Sequence, residues 1–266
     1  MAKITLITFT KNSKSALEGL LKNVEDIVDE IIVIDSYSTD GTIELAKSYN
    51  AKVYFKKPLG FVEPYRPFAL RVASHKWILY LDVDERLSER LRCNLQDLIS
   101  FAERNHIAAF KVWRIELSRD LRPIWGSHSP TLQIRIFDKN RVKYRGVIHE
   151  LPQIQGRLIR LPLSLYIIHL ARFYSNFSIK KMMQYAYLHS LMECSISHTG
   201  DILKSLSHNL APFGFIPRYL YYLLNTVMHK KYLNVLGLKD TFLQTFYEEV
   251  THFLMKTRSE KTKLYS

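Results

Sequence analysis

Trp77-Ile78-Leu79-Tyr80-Leu81-Asp82-Val83-Asp84-Glu85-Arg86 opens as an apolar run and ends in acid. A buried strand reads this way where its last residues emerge at the edge of a sheet. Asp82 and Asp84 sit two apart. In an extended chain residues i and i+2 share a face, so the spacing predicts that both reach one cation. Carboxylate oxygens suit a hard divalent ion such as Mn²⁺ or Mg²⁺, which keeps positions open for substrate phosphates. A strand end followed by a helix N-terminus, where acids favour the dipole, accounts for the same residues. The residues upstream have to decide between the two.

Ile4 to Phe9 is short, apolar and β-branched, which predicts a buried first strand. Ser13 is placed to cap a helix carrying Leu17, Leu20, Leu21 and Val24 at helical spacing. Glu30 to Ile34 is a second strand ending in Asp35, followed by the polar turn Ser36 to Thr42 and a helix from about Ile43 to Tyr49. Ala51 to Phe55 is a third strand. Glu63 to Ala73 predicts a helix with Pro64 and Pro67 in or before its first turn. Alternating strands and helices imply a parallel sheet with crossover helices. Ligands of such sheets bind beyond the carboxyl ends of the strands. Thr8 to Asn12, Asp35 to Thr42 and Asp82 to Glu85 all fall at those ends. A nucleotide with a metal fits a rim of acids beside hydroxyl-rich turns.

Downstream, Leu87 to Ala102 reads as a helix with a basic face. Ile107 to Leu117, Leu132 to Phe137 and Val142 to Ile148 read as strands, the last leading to His149-Glu150. Leu163 to Leu170 is apolar and ends near His169. From Ser178 onward the pattern is helical, with Tyr, Leu and Phe mixed with Lys and Arg. That mixture fits an interfacial membrane helix as well as a helical cap packed on the sheet. The expected organisation is an α/β domain over residues 1–170 and a helical, basic, aromatic-rich region over 171–266.

The 266 residues are 47% hydrophobic and 24% charged, the balance of a globular chain. Lys and Arg number 38 against 25 Asp and Glu, a net charge of +13. This predicts affinity for polyanions, whether nucleotides, nucleic acid or an anionic membrane surface. Cys93 and Cys194 form no CxxC pair, which argues against a zinc ribbon or a disulfide framework and fits a reducing compartment. The sequence reads without a signal peptide and without an apolar run of about 18 residues. The expected location is cytoplasmic, peripheral on the inner face of the cell membrane.

These segments together resemble the family 2 glycosyltransferases with the GT-A fold, in the lipopolysaccharide-core glucosyltransferase-like branch. The matching residues are Thr8 to Asn12, Val33-Ile34-Asp35-Ser36 with Ser38-Thr39-Asp40-Gly41-Thr42, Gly60-Phe61 with Phe68-Ala69-Leu70, and Trp77 to Glu85. Gln133-Ile134-Arg135-Ile136-Phe137 and His149-Glu150 follow. The resemblance covers roughly the first 170 residues and implies a Rossmann-like, mostly parallel sheet flanked by helices. It implies a nucleotide-sugar site at Thr8, Thr10, Asn12, Asp35, Ser36 and Asp82, with Asp84 the direct metal ligand. Arg66 and Arg71 are placed to touch the diphosphate. His149 and Glu150 would face the donor sugar and acceptor, with Glu150 as base and His149 as alternative base, metal ligand or hydrogen-bond partner. Thr131 stands near a position where many members carry an Asp.

The implied reaction is metal-dependent transfer of a hexose, with inversion, from a nucleoside diphosphate sugar expected to be UDP-linked. The implied acceptor is a glycolipid or lipid-linked saccharide of the cell envelope. The chemistry needs a base for the acceptor hydroxyl and charge compensation for the departing diphosphate, which a carboxylate and a Mn²⁺ or Mg²⁺ ion supply. A sugar nucleotidyltransferase would also use a parallel sheet and acids, but Thr10-Lys11-Asn12-Ser13 lacks the glycines that cradle a triphosphate. A non-catalytic nucleic-acid-binding protein would use the positive charge. No RNP-like, zinc or helix-turn-helix signature supports it, and no nucleic acid partner is expected.

Overall fold

The computed structural model describes residues 1–125, 129–146 and 150–170, with Leu220, Phe242 and Phe246 beyond them. The chain divides into two compact units, Met1–Leu117 with Thr131–Tyr174, and Ser118–Pro130 with Ser175–Ser266. In the second unit Ser118 to Arg122 form a tight turn, in which the Leu121 N–H donates to the Ser118 carbonyl at 3.0 Å and the Ser118 N–H to the Arg122 carbonyl at 2.9 Å. The expected helices after residue 170 lie outside the described residues.

The first unit opens with β1 (Ile4–Thr10), α1 (Lys14–Val24), β2 (Glu30–Asp35), α2 (Thr42–Ser48), β3 (Lys52–Phe55), α3 (Arg66–Val72) and β4 (Trp77–Tyr80). β1 pairs in parallel with β2 and β4, and β2 in parallel with β3, as the alternating pattern predicts. α1 forms because Ala16, Leu17, Leu20, Leu21 and Val24 recur on one face and bury it against the sheet. Ser13 occupies its N-cap position, but its hydroxyl donates to the Lys11 carbonyl at 2.8 Å instead of capping the helix. Asp40 caps in its place. One of its carboxylate oxygens accepts the Lys14 N–H at 3.0 Å and the other the Thr42 N–H at 3.1 Å. A single acid so anchors the starts of two helices. Gly41 follows at φ +85°, and a Cβ there would also press on the Lys14 side chain at 3.2 Å.

Next come β5 (Glu85–Leu87), α4 (Glu89–Cys93) and α5 (Leu95–Arg104). The single helix expected over Leu87 to Ala102 is thus two, preceded by a short strand. Ser88 caps α4 through the Leu91 N–H at 3.3 Å, so the helix starts only there. β6 (Ile107–Glu116) and β7 (Thr131–Asp138) follow, then β8 (Val142–Lys143), β9 (Gln153–Ile154), β10 (Arg157–Arg160) and β11 (Tyr166–His169). The strand expected over Val142 to Ile148 is only two residues long and pairs with β9 in a separate ribbon. The main sheet runs β3-β2-β1-β4-β7-β6-β11-β5, with β10 also on β6. β7 is antiparallel to β4 and β6, while β11 is parallel to β6. Buried apolar clusters cover both faces: one joins α1, α5, Val33 and Phe110, the other Ile7, Ile34, Ala69 and Phe137. β4 is buried along its whole length, which is why it reads as an uninterrupted apolar run.

At the amino end of the sheet, Glu30 ties four segments together. Its carboxylate accepts from the Thr5 hydroxyl (2.6 Å), Lys52 Nζ (2.6 Å), the Ser74 hydroxyl (2.6 Å) and the Ser74 N–H (2.8 Å). Burial opposes its charge, but the donors from Lys52, Ser74 and Thr5 outweigh it and pull the carboxyl from 4.5 down to about 2. A group whose folded pKa is depressed stabilises the fold above its unfolded pKa and loses that contribution as pH falls toward the folded value. The unfolding free energy is therefore expected to fall between pH 4.5 and 2. Glu30→Gln should cost about 1–3 kcal/mol at pH 7 and flatten that acid limb. Urea titrations of both proteins across this range check it; parallel limbs would refute it.

Candidate active site

β4 ends at Tyr80, and the Leu81 N–H makes its last ladder contact with the Ile7 carbonyl at 3.1 Å. The chain then turns, closed by the Glu85 N–H on the Asp82 carbonyl at 2.9 Å. Asp82 and Asp84 therefore lie in a turn, and the shared face expected of an extended chain does not hold. Each acid has its own partner. Asp82 pairs with Arg135 Nη2 at 2.5 Å, and Asp84 Oδ1 lies 3.6 Å from His169 Nε2. Glu85, fully buried, is the hub: its Oε1 is 2.7 Å from Arg135 Nη2 and 3.4 Å from Arg114 Nη1, and its Oε2 accepts the Asp82 N–H at 3.1 Å.

His169 ends β11, whose ladder sets it opposite Glu116 of β6 and Glu85 of β5. Its Nδ1 is 2.6 Å from Glu116 Oε1. A carboxylate oxygen accepts, so Nδ1 donates and Nε2 is the nitrogen turned to Asp84. Burial would lower the imidazole pKa, but Asp84 and Glu116 beside it push it up to about 9. Burial likewise works against the Asp84 charge, yet His169 and Arg114 hold that carboxyl below its usual range.

Two of these residues could serve as ligands to a cation. Among the described residues no three His, Cys, Asp or Glu side chains converge as a ready-made cage. A Mg²⁺ or Mn²⁺ ion does not need one, because one or two protein ligands plus substrate phosphates suffice. Asp84 and His169 Nε2 could make such a pair once Nε2 gives up its proton to the incoming ion, with Glu116 orienting the imidazole from behind as carboxylates do in metal centres. His149, expected as catalytic residue or ligand, lies outside the described residues.

The second part of the rim is built on β1 and β2. Asp35 is completely buried and accepts from the Thr10 hydroxyl (2.7 Å), the Ser38 hydroxyl (2.6 Å) and the Ser38 N–H (2.7 Å). Asn12, at φ +47°, accepts the Thr39 N–H at 2.8 Å and donates its own N–H to the Ser38 hydroxyl at 2.7 Å. The Ser36 N–H donates to the Thr10 carbonyl at 2.9 Å. Thr10, Asn12, Asp35 and Ser36 are thus brought together, mostly through bonds to one another. Thr8 is fully buried one strand-step earlier, and its hydroxyl has no hydrogen-bond partner among the described residues.

Arg66 bridges the end of β4 and the turn that carries Glu150. Its guanidinium lies 5.5 Å from the Tyr80 ring and 5.3 Å from the Tyr144 ring, and Nη1 donates to the Glu150 carbonyl at 3.0 Å. Glu63 Oε1 is 3.5 Å from Nη2. Arg66 is therefore a packed crosspiece, not a solvated arm. Arg71 lies 5.6 Å from the Phe68 ring. Glu150 is buried, with its carboxylate accepting the Arg145 N–H at 2.5 Å and the Gly146 N–H at 2.7 Å. Tyr144, whose phenol burial pushes up, lies in the field of the Arg66, Arg135, Glu150 and Asp82 charges.

The glycosyl transferase family 2 model matches residues 5–161, the stretch that carries the mixed sheet and the acid turn after β4. The chain belongs to glycosyl transferase family 2. An uncharacterized glycosyltransferase of Rickettsia bellii is 28% identical over 71% of this chain and 65% of its own length. The lipopolysaccharide core biosynthesis glycosyltransferase LpsC of Rhizobium meliloti is 38% identical over 35% of each chain. The fold is similar to that of the mannosyltransferase PcManGT of Pyrobaculum calidifontis, solved with GDP-Man and Mn²⁺. The TM-score is 0.52 at 13% identity, over 97% of this chain and 86% of that one. The GT-A fold expected from the sequence is the fold observed.

For this family 2 domain, the nucleotidyltransferase and nucleic-acid-binding alternatives lose their basis. Sequence reading missed His169, Glu116, Arg114 and Tyr144 as site residues, and quoted Arg135 without a role. His169 did carry a signal: an apolar strand ending in a polar residue, the same pattern that singled out Asp82. Its partners could not be read, because Glu116 and Asp84 are 53 and 85 positions away (169 − 116 and 169 − 84).

Proposed function

We propose that this family 2 glycosyltransferase transfers a hexose from a nucleoside diphosphate sugar, with inversion, to a hydroxyl of a glycolipid or lipid-linked saccharide. The observation that carries the reading is the Glu116–His169–Asp84 line at the carboxyl end of β4, beside the hydroxyl-lined turns after β1 and β2. In this reading Thr8, Thr10, Asn12, Asp35 and Ser36 form the nucleoside side of the site, and Asp82 faces the ribose or sugar. Asp84 and His169 would hold a Mn²⁺ or Mg²⁺ ion, which supplies charge compensation for the diphosphate when bound.

Glu150 is the proposed base. As the acceptor oxygen bonds to the anomeric carbon and the bond to the diphosphate oxygen breaks, the hydroxyl proton passes to its carboxylate. Each carboxylate oxygen accepts one amide N–H of the turn that carries it, which leaves a further lone pair to take the proton. Arg66 positions that turn through the Glu150 carbonyl. The name of the LpsC relative supports an envelope saccharide as acceptor. No helix of the described residues is long and apolar enough to cross a membrane. Peripheral contact of the basic region with an anionic membrane is part of the proposal, and sedimentation with anionic liposomes at low salt tests it.

Calorimetry with UDP, GDP, ADP and CDP, in Mn²⁺ and then in EDTA, tests the donor side. One nucleotide is expected to bind in the micromolar range and only with metal, UDP being the expected one. Equal, metal-indifferent binding of all four would refute the reading. Glu150→Gln keeps an acceptor for the turn and removes the base. It is expected to leave that affinity unchanged and slow transfer by about 10²- to 10⁴-fold; near-normal turnover removes Glu150 from the role.

A further inference from the structure

Two large aromatic side chains stand open at the nucleoside end of the rim. Tyr37 is 53% exposed and Phe55 44%. Their rings stack, with centroids 5.5 Å apart and planes 28° from parallel. Register puts them where the nucleoside turns are: Thr10, Asp35 and Phe55 stand in one row across β1, β2 and β3, and Tyr37 follows Asp35 by two residues.

Tyr37 holds its place at a cost. Its φ is +60°, a left-handed conformation that a bulky residue rarely adopts. The surrounding bonds enforce it. Lys11 Nζ donates to the carbonyls of Ser36 and Tyr37, both at 2.7 Å, while Ser38 is fixed to Asp35 by its N–H and hydroxyl. A strained backbone here does not bury the ring; it presents it to solvent. Strain of this kind is characteristic of ligand-contacting positions.

The inner polar groups of this row already satisfy each other, so what it offers a ligand is a π surface. Charge lies beside it. Lys11 is clamped under the turn, and the Lys56 N–H donates to the Asp35 carbonyl at 2.9 Å while its Nζ sits 3.6 Å above the Phe68 ring. An aliphatic chain would use the rings and not the cations; an inorganic anion would use the cations and not the rings. A nucleotide uses both.

We propose that Tyr37 and Phe55 form the surface on which the nucleobase of the donor stacks, a proposal that rests on the nucleoside diphosphate sugar reading above. Every base has a π face, so stacking adds affinity without choosing the base. Loss of the platform weakens UDP and GDP alike.

The test is Tyr37→Gly in the whole 266-residue chain, because glycine keeps the left-handed turn and removes only the ring. The thermal midpoint is expected to stay the same or rise. The Kd for UDP and for GDP, by calorimetry with Mn²⁺, is expected to rise by about 10- to 100-fold, with inorganic diphosphate binding unchanged. Phe55→Ala should act in the same direction, and Tyr37→Phe should bind as the unaltered protein does. An unaltered Kd for UDP in Tyr37→Gly, with binding intact in the parent chain, overturns the platform alone. The same result with a raised acceptor KM would assign the rings to the acceptor and overturns it too. An equal loss of diphosphate binding would trace the effect to the turn and not the ring. A parent chain that binds no nucleoside diphosphate would bring down the donor reading and the platform together.

Discussion

Asp84→Ala is expected to lower sugar transfer by about 10³-fold, the worth of several kcal/mol of charge stabilisation at the departing diphosphate. Asp84 and His169 are the proposed cation-holding pair beside the turn after β4, and Glu116 supports the imidazole. Glu116 sets the imidazole with a 2.6 Å contact to Nδ1, so Nε2 faces Asp84. Glu116→Gln should therefore give a graded version of the same defect, about 10- to 100-fold weaker metal affinity, with nucleotide binding in EDTA unaffected. Mn²⁺ titrations followed by calorimetry, run beside initial-rate assays, separate the two variants. If Asp84→Ala retains parent-like Mn²⁺ affinity and rate, the metal is held elsewhere or not used.

Arg135→Met is expected to cost about 3–5 kcal/mol of stability, as loss of one member of a buried ion pair does. Arg135 is almost entirely buried, and its Nη2 serves Glu85 at 2.7 Å and Asp82 at 2.5 Å. Burial opposes its charge, yet Asp82 and Glu85 raise its pKa further still. Removing it leaves Glu85 with Arg114, at 3.4 Å, as its remaining cation among the described residues and releases Asp82 from its fixed direction. The double variant Arg135→Met/Glu85→Gln removes both the cation and the charge it compensates. It should recover a measurable part of the loss, because charges within one network couple. Chemical denaturation of the single and double variants measures this coupling. Strict additivity would show that the Arg135–Glu85 pair does not hold the turn. Loss of activity beyond the loss of folded protein would show that the direction of Asp82 matters to catalysis.

How far the sequence reaches can be judged from these same residues. The strands β1, β2 and β4 were legible because both their faces are buried, which keeps them predominantly apolar. From the parallel order followed the rim, and from the rim the gathering of Thr10, Asn12, Asp35 and Ser36. The helical break at Asn94 was not legible, since the apolar positions of α4 and α5 continue across it and only the Ser88 cap fixes the start. The two-residue β8 was over-read for a related reason: a β-branched stretch predicts a strand, but not how much of it finds a partner.

Composition and periodicity alone determined that this chain is an α/β domain with acids and hydroxyls at the carboxyl ends of its strands, because those signals are local. Tertiary structure alone decided which charges meet. Asp82 and Asp84, two apart in the sequence, turn to different partners. Arg135 and His169, 53 and 85 positions from them (135 − 82 and 169 − 84), arrive through the antiparallel β7 and the parallel β11. The direction of a side chain in a turn depends on the partner that meets it there, and strand pairing across the sheet supplies that partner.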